Sequence, residues 1–382
     1  MYNKRRVHPH TKSHKRFDCV NISIKIIIIY NLNKKVLVWG QMRRTVEKIA
    51  TELGYLTSSY LLPPESIRLL ITFRCNFACA GCSVRFAKKE DELKEKEWLK
   101  IAAELKSFLP PKTVIDITGG EPLVRKKALL KLIESLKKHF NEVNINSNGS
   151  LLDTKTVTEL EKAGLNKFKL SFYSLEEKIH NKLRGSDFAY TGARKAIKLL
   201  KKSKIKNKIS ILITKENIVG IPDLISFLDK RKNIEIGLQA LDESCHSEDS
   251  RNLKKNFLPL HLWPKESETK KLFRWLFRKE NLSKVDNKKD FLKATRDYYL
   301  KPKSALRFRC FVGQRNFAIY PDGDLVFCYK LPPLGNLKKE SLSLLLRGKN
   351  AKQQRAMIKG CKKYCRVSCH FARGIKELVL IK

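Results

Sequence analysis

The sequence predicts an α/β protein built on a parallel sheet, and three observations carry that expectation. From about residue 66 to 240, short apolar runs of strand length alternate with longer stretches of helical period. The 382 residues suffice for one large domain and a smaller one, and a hydrophobic content of 42% is ordinary for a globular chain. The cysteines, 10 in all, gather mainly in two groups with ligand-like spacing, and no signal peptide precedes them. A reducing, anaerobic cytoplasm fits that usage better than a secreted disulfide framework.

Taken in order, residues 1–60 form a basic extension unlike the rest. Its first residues include His8, His10 and His14, read as surface side chains. The string NISIKIIIIYNLNKKVLVWG then reads as two short strands joined by Asn-Leu-Asn-Lys-Lys. Its uninterrupted apolar run, Ile26 to Tyr30, is far too short to span a bilayer, and no transmembrane segment is expected. A helical pattern starts at Met42, which makes the first 41 residues peripheral. Residues 61–240 are the expected core. Strands are placed at 67–73, 113–118, 142–146, 167–172, 208–213 and 233–238, and helices at 92–108, 125–139, 154–163, 190–202 and 220–230. Residues 241–305 are a charged, helix-prone connection, and 306–375 a cysteine-rich domain with a hairpin signal.

With 80 basic and 38 acidic residues the net charge is +42, which favours encounter with acidic partners such as RNA, an acidic peptide or an acidic electron donor. The lysines are spread along the whole chain, and no nucleic-acid-binding motif accompanies them. A solvated, lysine-biased surface is therefore the favoured reading, and nucleic acid is not the favoured partner.

Chemistry concentrates at Cys75, Cys79 and Cys82 in ITFRCNFACAGC, a C-x3-C-x2-C spacing. A cubane iron-sulfur cluster normally takes four thiolates, so three leave one iron open to another ligand. A tetrahedral zinc site would instead draw its fourth ligand from elsewhere. The run from Ser66 to Phe73 reads as a buried strand, which puts this loop at a strand's C-terminal end, where barrel-like folds gather their active sites. Cys19 and Cys245 stand apart and read as small buried hydrophobes.

One strand later comes Thr118-Gly119-Gly120-Glu121-Pro122. Together these motifs resemble the radical S-adenosylmethionine (SAM) superfamily. The resemblance implies a partial (β/α)6 TIM-like barrel, which the repeat pattern alone does not distinguish from an open doubly wound sheet. It implies a [4Fe-4S] cluster whose open iron is chelated by the methionine part of SAM. One electron then splits a carbon-sulfur bond of SAM, and the resulting 5′-deoxyadenosyl radical abstracts hydrogen from substrate. By the same resemblance Gly119, Gly120 and Glu121 dock the methionine amino group; without it the segment is a strand-to-helix turn. Ser147 and Asn148, in NINSNG, match a segment that reaches methionine or ribose, with an Asn-Gly turn as the alternative. Ser171 matches a ribose-contacting segment, although Tyr173 stands where the family often has Asp. Arg184, in HNKLRG, matches an arginine that approaches SAM's carboxylate, and His180 beside it reads as surface or packing. Asn217 resembles a family asparagine and equally suits a helix N-cap. The family often places an aromatic residue before its last cysteine. Gly81 stands there instead and leaves Phe77 to pack the adenine.

The C-terminal string places Cys310 and Cys328 around a PDGD turn, which brings them to one end of a small sheet, followed by Cys361, Cys365 and Cys369. This arrangement resembles the SPASM/Twitch extension of radical SAM maturases. The five cysteines suffice for one fully ligated auxiliary [4Fe-4S] cluster, and C-x3-C-x3-C departs from the usual C-x2-C start of the tail. Zinc fits four thiolates equally well. The resemblance implies an enzyme acting on a peptide or protein, supplied with electrons by a donor such as a ferredoxin or flavodoxin. Cofactor biosynthesis or RNA modification, a small-molecule substrate, and a non-catalytic iron-sulfur electron carrier or nucleic-acid-binding protein are the alternatives.

Overall fold

Six strands, β1 (Ser66–Leu70), β2 (Val114–Thr118), β3 (Val143–Ser147), β4 (Lys167–Ser171), β5 (Lys206–Ile213) and β6 (Ile234–Ala240), pair in parallel in their sequence order. A doubly wound sheet reverses direction at a switch point. Within these six strands the order never reverses, so right-handed crossovers place the connecting helices on one face, as in a partial barrel. The computed structural model describes residues 37–87, 91–230, 234–241 and 259–365. The first expected N-terminal strand, His8, His10, His14, Cys19, Cys245 and Cys369 lie outside the described residues.

Strand alternation explains the two faces. Ile67, Leu69, Ile115, Ile117, Ile145, Phe168, Leu170, Ile209 and Ile211 are buried in one cluster with helix residues such as Trp98, Leu132, Leu160, Ile197 and Leu224. These come from α2 (Glu95–Phe108), α3 (Lys126–Lys137), α4 (Thr154–Lys162), α6 (Ala189–Lys201) and α7 (Ile221–Asp229), whose apolar positions recur at helical spacing. The opposite face is polar. Asp116 ion-pairs with Lys169 and accepts from Asn144 Nδ2 at 3.2 Å, and Lys208 ion-pairs with Asp286.

Two expectations are corrected. Residues 37–40, expected in a strand, open helix α1 (Leu37–Thr57). A lone hairpin is marginal in water, whereas each residue added to an existing helix gains a hydrogen bond, so the strong helix formers downstream extend through the apolar run. The C-terminal hairpin is also no sheet of its own. Its strands β7 (Asn316–Ile319), β8 (Asp324–Val326) and β9 (Gly335–Asn336) extend the main sheet, with β7 parallel to β1. An open barrel would otherwise leave the backbone groups of β1's outer edge unpaired.

The segment expected as a connection carries α8 (Glu266–Leu276), α9 (Lys279–Leu282) and α10 (Lys289–Leu300), and it packs on the barrel's end. Tyr299 on α10 is buried, donates to Ile213 O at 2.6 Å and accepts from Leu241 N at 2.7 Å, tying the ends of β5 and β6 together. Two further helices, α11 (Leu342–Arg347) and α12 (Lys349–Lys359), close the described chain.

Candidate functional site

The loop carrying Cys75, Cys79 and Cys82 leaves β1 at its C-terminal end and is fixed by backbone contacts on two sides. On one side Gly120 N donates to Thr72 O at 2.7 Å and Glu121 N to Arg74 O at 2.8 Å. A Cβ at Gly120 would stand 2.2 Å from Arg74 O, and one at Gly119, whose φ is +142°, 2.3 Å from Thr72 O. These glycines let two backbones approach each other, so their first partner is the cysteine loop itself. On the other side helix α5 (Glu177–Arg184) ends against the loop: Ala78 N donates to Gly185 O at 3.4 Å and Ala80 N to Leu183 O at 3.1 Å. Gly185 caps that helix at φ +60°, and a Cβ there would meet Ala78 O at 2.1 Å.

Behind the loop lies Glu121, fully buried. Its carboxylate accepts from Ser147 Oγ at 2.8 Å, Asn148 N at 2.8 Å and Leu123 N at 3.1 Å. Burial raises its pKa, against the pull of those three donors and of Arg184. Asn148 continues the frame by donating to Asn76 Oδ1 at 2.9 Å, while Asn76 donates to Ser150 Oγ at 2.9 Å. Thus Glu121, Ser147 and Asn148 converge, and they hold the loop between Cys75 and Cys79. Ser171 ends β4, half-buried.

Arg184 is buried and places its guanidinium 5.0 Å from the Tyr173 ring centre and 5.8 Å from that of Phe77, donating to Tyr173 Oη at 2.9 Å. Burial alone would depress its pKa, but Tyr173, Cys79, Cys82 and Cys75 outweigh that effect and raise it. His180 is a packing residue. Burial, with Arg184 nearby, lowers its pKa to about 3, and its Nδ1 accepts from Tyr173 N at 3.1 Å. Asn217 is also structural: it donates to Tyr173 O and Leu212 O, each at 2.8 Å, and accepts from Thr214.

Sequence reasoning missed two residues. Glu92 accepts from Phe73 N at 2.7 Å and Thr72 Oγ1 at 2.8 Å, and Arg125 donates to Ile71 O at 2.9 Å and Leu93 O at 2.8 Å. Glu92 is one acid in a run of charges, so nothing local marks it, whereas Arg125 was within reach because it closes the turn after Gly119-Gly120-Glu121.

The donor set fits a cluster. The three cysteines are half-buried, and a cavity of about 450 Å³ opens beside Cys75, lined also by Phe73, Asn76, Phe77, Ala78, Phe86 and Gly185. Burial, reinforced by Cys79, Glu121 and Cys82, pushes the Cys75 thiol up to about 11, so ligation there releases a proton. Among the described residues, no three His, Cys, Asp or Glu side chains converge on a single-ion position.

In the C-terminal region Cys310 precedes β7, Cys328 follows β8, and Cys361 and Cys365 follow α12. Helix α12 binds the hairpin through Arg355 Nε to Gly313 O at 2.7 Å and Gln354 Nε2 to Pro332 O at 2.8 Å. Helix α1 touches both approaches: Arg309 donates to Glu52 at 2.6 Å and Lys359 to Leu56 O at 2.9 Å.

A cysteine loop at the C-terminal end of a singly wound parallel sheet defines a class, the thiolate-ligated cofactor proteins built on an open barrel. Comparison specifies it. Residues 69–228 match the family model of the Radical SAM superfamily, and residues 310–370 that of SPASM, an iron-sulfur cluster-binding domain. The chain belongs to the Radical SAM superfamily and carries a SPASM domain. Membership implies a [4Fe-4S] cluster and SAM, and the SPASM domain implies auxiliary iron-sulfur ligation.

Among curated relatives, PqqA peptide cyclase of Granulibacter bethesdensis is 30% identical over 172 residues, 44% of this chain and 44% of its own length. A Methanopyrus kandleri protein named "Probable GTP 3′,8-cyclase" is 29% identical over 176 residues, 46% of this chain and 56% of its own. The chain thus spans about half the length of the curated relatives it matches. Among solved structures, Streptococcus suis SuiB bound to its precursor peptide SuiA superposes with a TM-score of 0.58 at 16% identity, covering 85% of this chain and 73% of SuiB. Native anSMEcpe with bound AdoMet gives 0.57 at 18% identity, covering 76% and 83%. At such identities these two share the fold. No helix among the described residues is long and apolar enough to cross a membrane.

Proposed function

We propose that this chain is a cytoplasmic radical SAM enzyme that acts on a peptide or protein, with residues 61–240 as the catalytic core and 306–375 as the auxiliary-cluster domain. The observation that carries the reading is the cysteine loop: three half-buried sulfurs held between Gly119-Gly120-Glu121 and the end of α5, beside a cavity, with a buried arginine facing them. A cluster and SAM bound there would supply one-electron cleavage of the sulfonium to a 5′-deoxyadenosyl radical able to take hydrogen from substrate. Cys75, Cys79 and Cys82 provide three ligands. The backbone of Gly119 and Gly120, kept in place by Glu121, lines the loop's inner side. Ser147, Asn148 and Ser171 present hydrogen-bonding groups from the ends of β3 and β4, and Arg184 offers a carboxylate partner. Four of Cys310, Cys328, Cys361, Cys365 and Cys369 would ligate the auxiliary cluster. The likeness to peptide-bound SuiB and to PqqA peptide cyclase supports the peptide class. A small-molecule substrate is the second reading, favoured by the cyclase relative named for GTP.

Anaerobic reconstitution followed by dithionite and SAM tests the reading. 5′-Deoxyadenosine is expected from the wild type and none from Cys79→Ala, and a loaded wild type without product would refute it. Mass spectrometry of short peptides encoded beside the gene, read for loss of hydrogen, separates the two substrate classes.

A further inference from the structure

Besides offering SAM a carboxylate partner, Arg184 is a buried charge whose surroundings leave it unpaired when SAM is absent. The residue is nine-tenths buried, its Nε has no partner, and its guanidinium donates to the Tyr173 hydroxyl at 2.9 Å. Among the described residues no carboxylate stands at ion-pair distance from it. Glu121 faces it, but that carboxylate is occupied by Ser147, Asn148 and Leu123. Buried charges are normally paired, so an unneutralised guanidinium is retained at a cost.

Its position is rigid. Arg184 is the last residue of α5, and the carbonyls on either side of it, Leu183 O and Gly185 O, receive the N–H groups of Ala80 and Ala78 from within the cysteine loop. The guanidinium lies against Phe77, between Cys75 and Cys79 in sequence, and its charge faces all three cysteines. Tyr173 holds this guanidinium by ring contact and one hydrogen bond.

We infer that Arg184, held by Tyr173 as a positioning residue, sets the redox balance of the cluster on Cys75, Cys79 and Cys82 by raising its reduction potential before SAM binds. The inference rests on the reading that these cysteines hold a redox-active cluster. A low-potential one-electron donor passes one electron to the cluster, which becomes more negative by one unit. A fixed positive charge in a poorly solvated site favours that reduced form. A phenol keeps the full charge in play, whereas a carboxylate at residue 173 would neutralise it.

The test is an EPR-monitored potentiometric titration of the reconstituted full-length protein without SAM, for the wild type, R184Q, R184K, Y173F and Y173E. R184Q should lower the ratio of reduced to oxidised cluster at least tenfold at a fixed potential, a shift of about 59 mV to more negative values. R184K, which keeps the charge, should shift less, Y173F should shift slightly in the same direction, and Y173E should approach R184Q. An R184Q protein with full iron content and the wild-type potential would overturn the inference, as would equal shifts in R184Q and R184K. If R184Q fails to load iron, Y173E decides, and a wild-type potential there overturns it. The functional reading fails separately, through a wild type that titrates as expected but makes no 5′-deoxyadenosine.

Discussion

Cys75, Cys79 and Cys82 share one short loop pinned by backbone hydrogen bonds from two neighbouring elements, whereas Cys310, Cys328, Cys361 and Cys365 come from strand and helix ends far apart in sequence. The first group is framed before any metal arrives: Gly119, Gly120 and Gly185 bring backbones closer than a Cβ would allow. The second depends on tertiary packing, through Arg355 and Gln354 of α12 on the hairpin and Arg309 and Lys359 on α1. A catalytic site that must present one open iron needs fixed geometry, while a fully ligated cluster can itself draw its ligands together. Segment 91–93 joins the two regions, since Glu92 holds the first loop while Leu93 N donates to Pro321 O in the hairpin turn at 2.6 Å.

Cys79→Ala should abolish 5′-deoxyadenosine and remove about four irons, whereas Cys361→Ser should remove iron from the C-terminal group yet leave product formation measurable. In the wild type about eight irons support two cubanes, and about four with zinc would make the second group structural. Gly120→Ala sets a Cβ against a backbone oxygen that cannot move aside, so a loss of about 3 kcal/mol or more is expected in chemical denaturation, with iron lost from the first group.

A smaller effect comes from acid. Burial, with Arg184 nearby, holds the His180 pKa at about 3 in the fold, below the ordinary imidazole value of 6.5, so the unfolded chain binds more protons between those values. Its contribution is complete above pH 6.5 and falls away as pH drops toward 3, about 2 kcal/mol being lost by pH 5. His180→Gln should flatten that dependence. Hydrogen exchange at pH 5 should then show early opening of α5 and the cysteine loop, with the C-terminal hairpin unaffected.

Much of this was legible in the residues. The six strands fall where apolar runs and turns place them, and the order of cysteine loop, Gly-Gly-Glu and Ser-Asn-Gly along successive strands foretells their convergence. What was not legible is long-range. Helix α5 is only eight residues long, with Ile179, His180 and Leu183 on its packed side, so its period is too short to read. The parallel pairing of β7 with β1 joins segments about 250 residues apart, which no local pattern encodes. Nothing local marks Glu92 as the acceptor for Phe73 N, or Glu121 as the carboxylate that frames Ser147 and Asn148.

The central claim is that three cysteines leave one metal corner for SAM. It is tested most directly by EPR of the reduced, iron-loaded protein before and after SAM is added. A change in the cluster signal, absent from Cys79→Ala, is the predicted result. An unchanged signal from a fully loaded wild type would contradict the account.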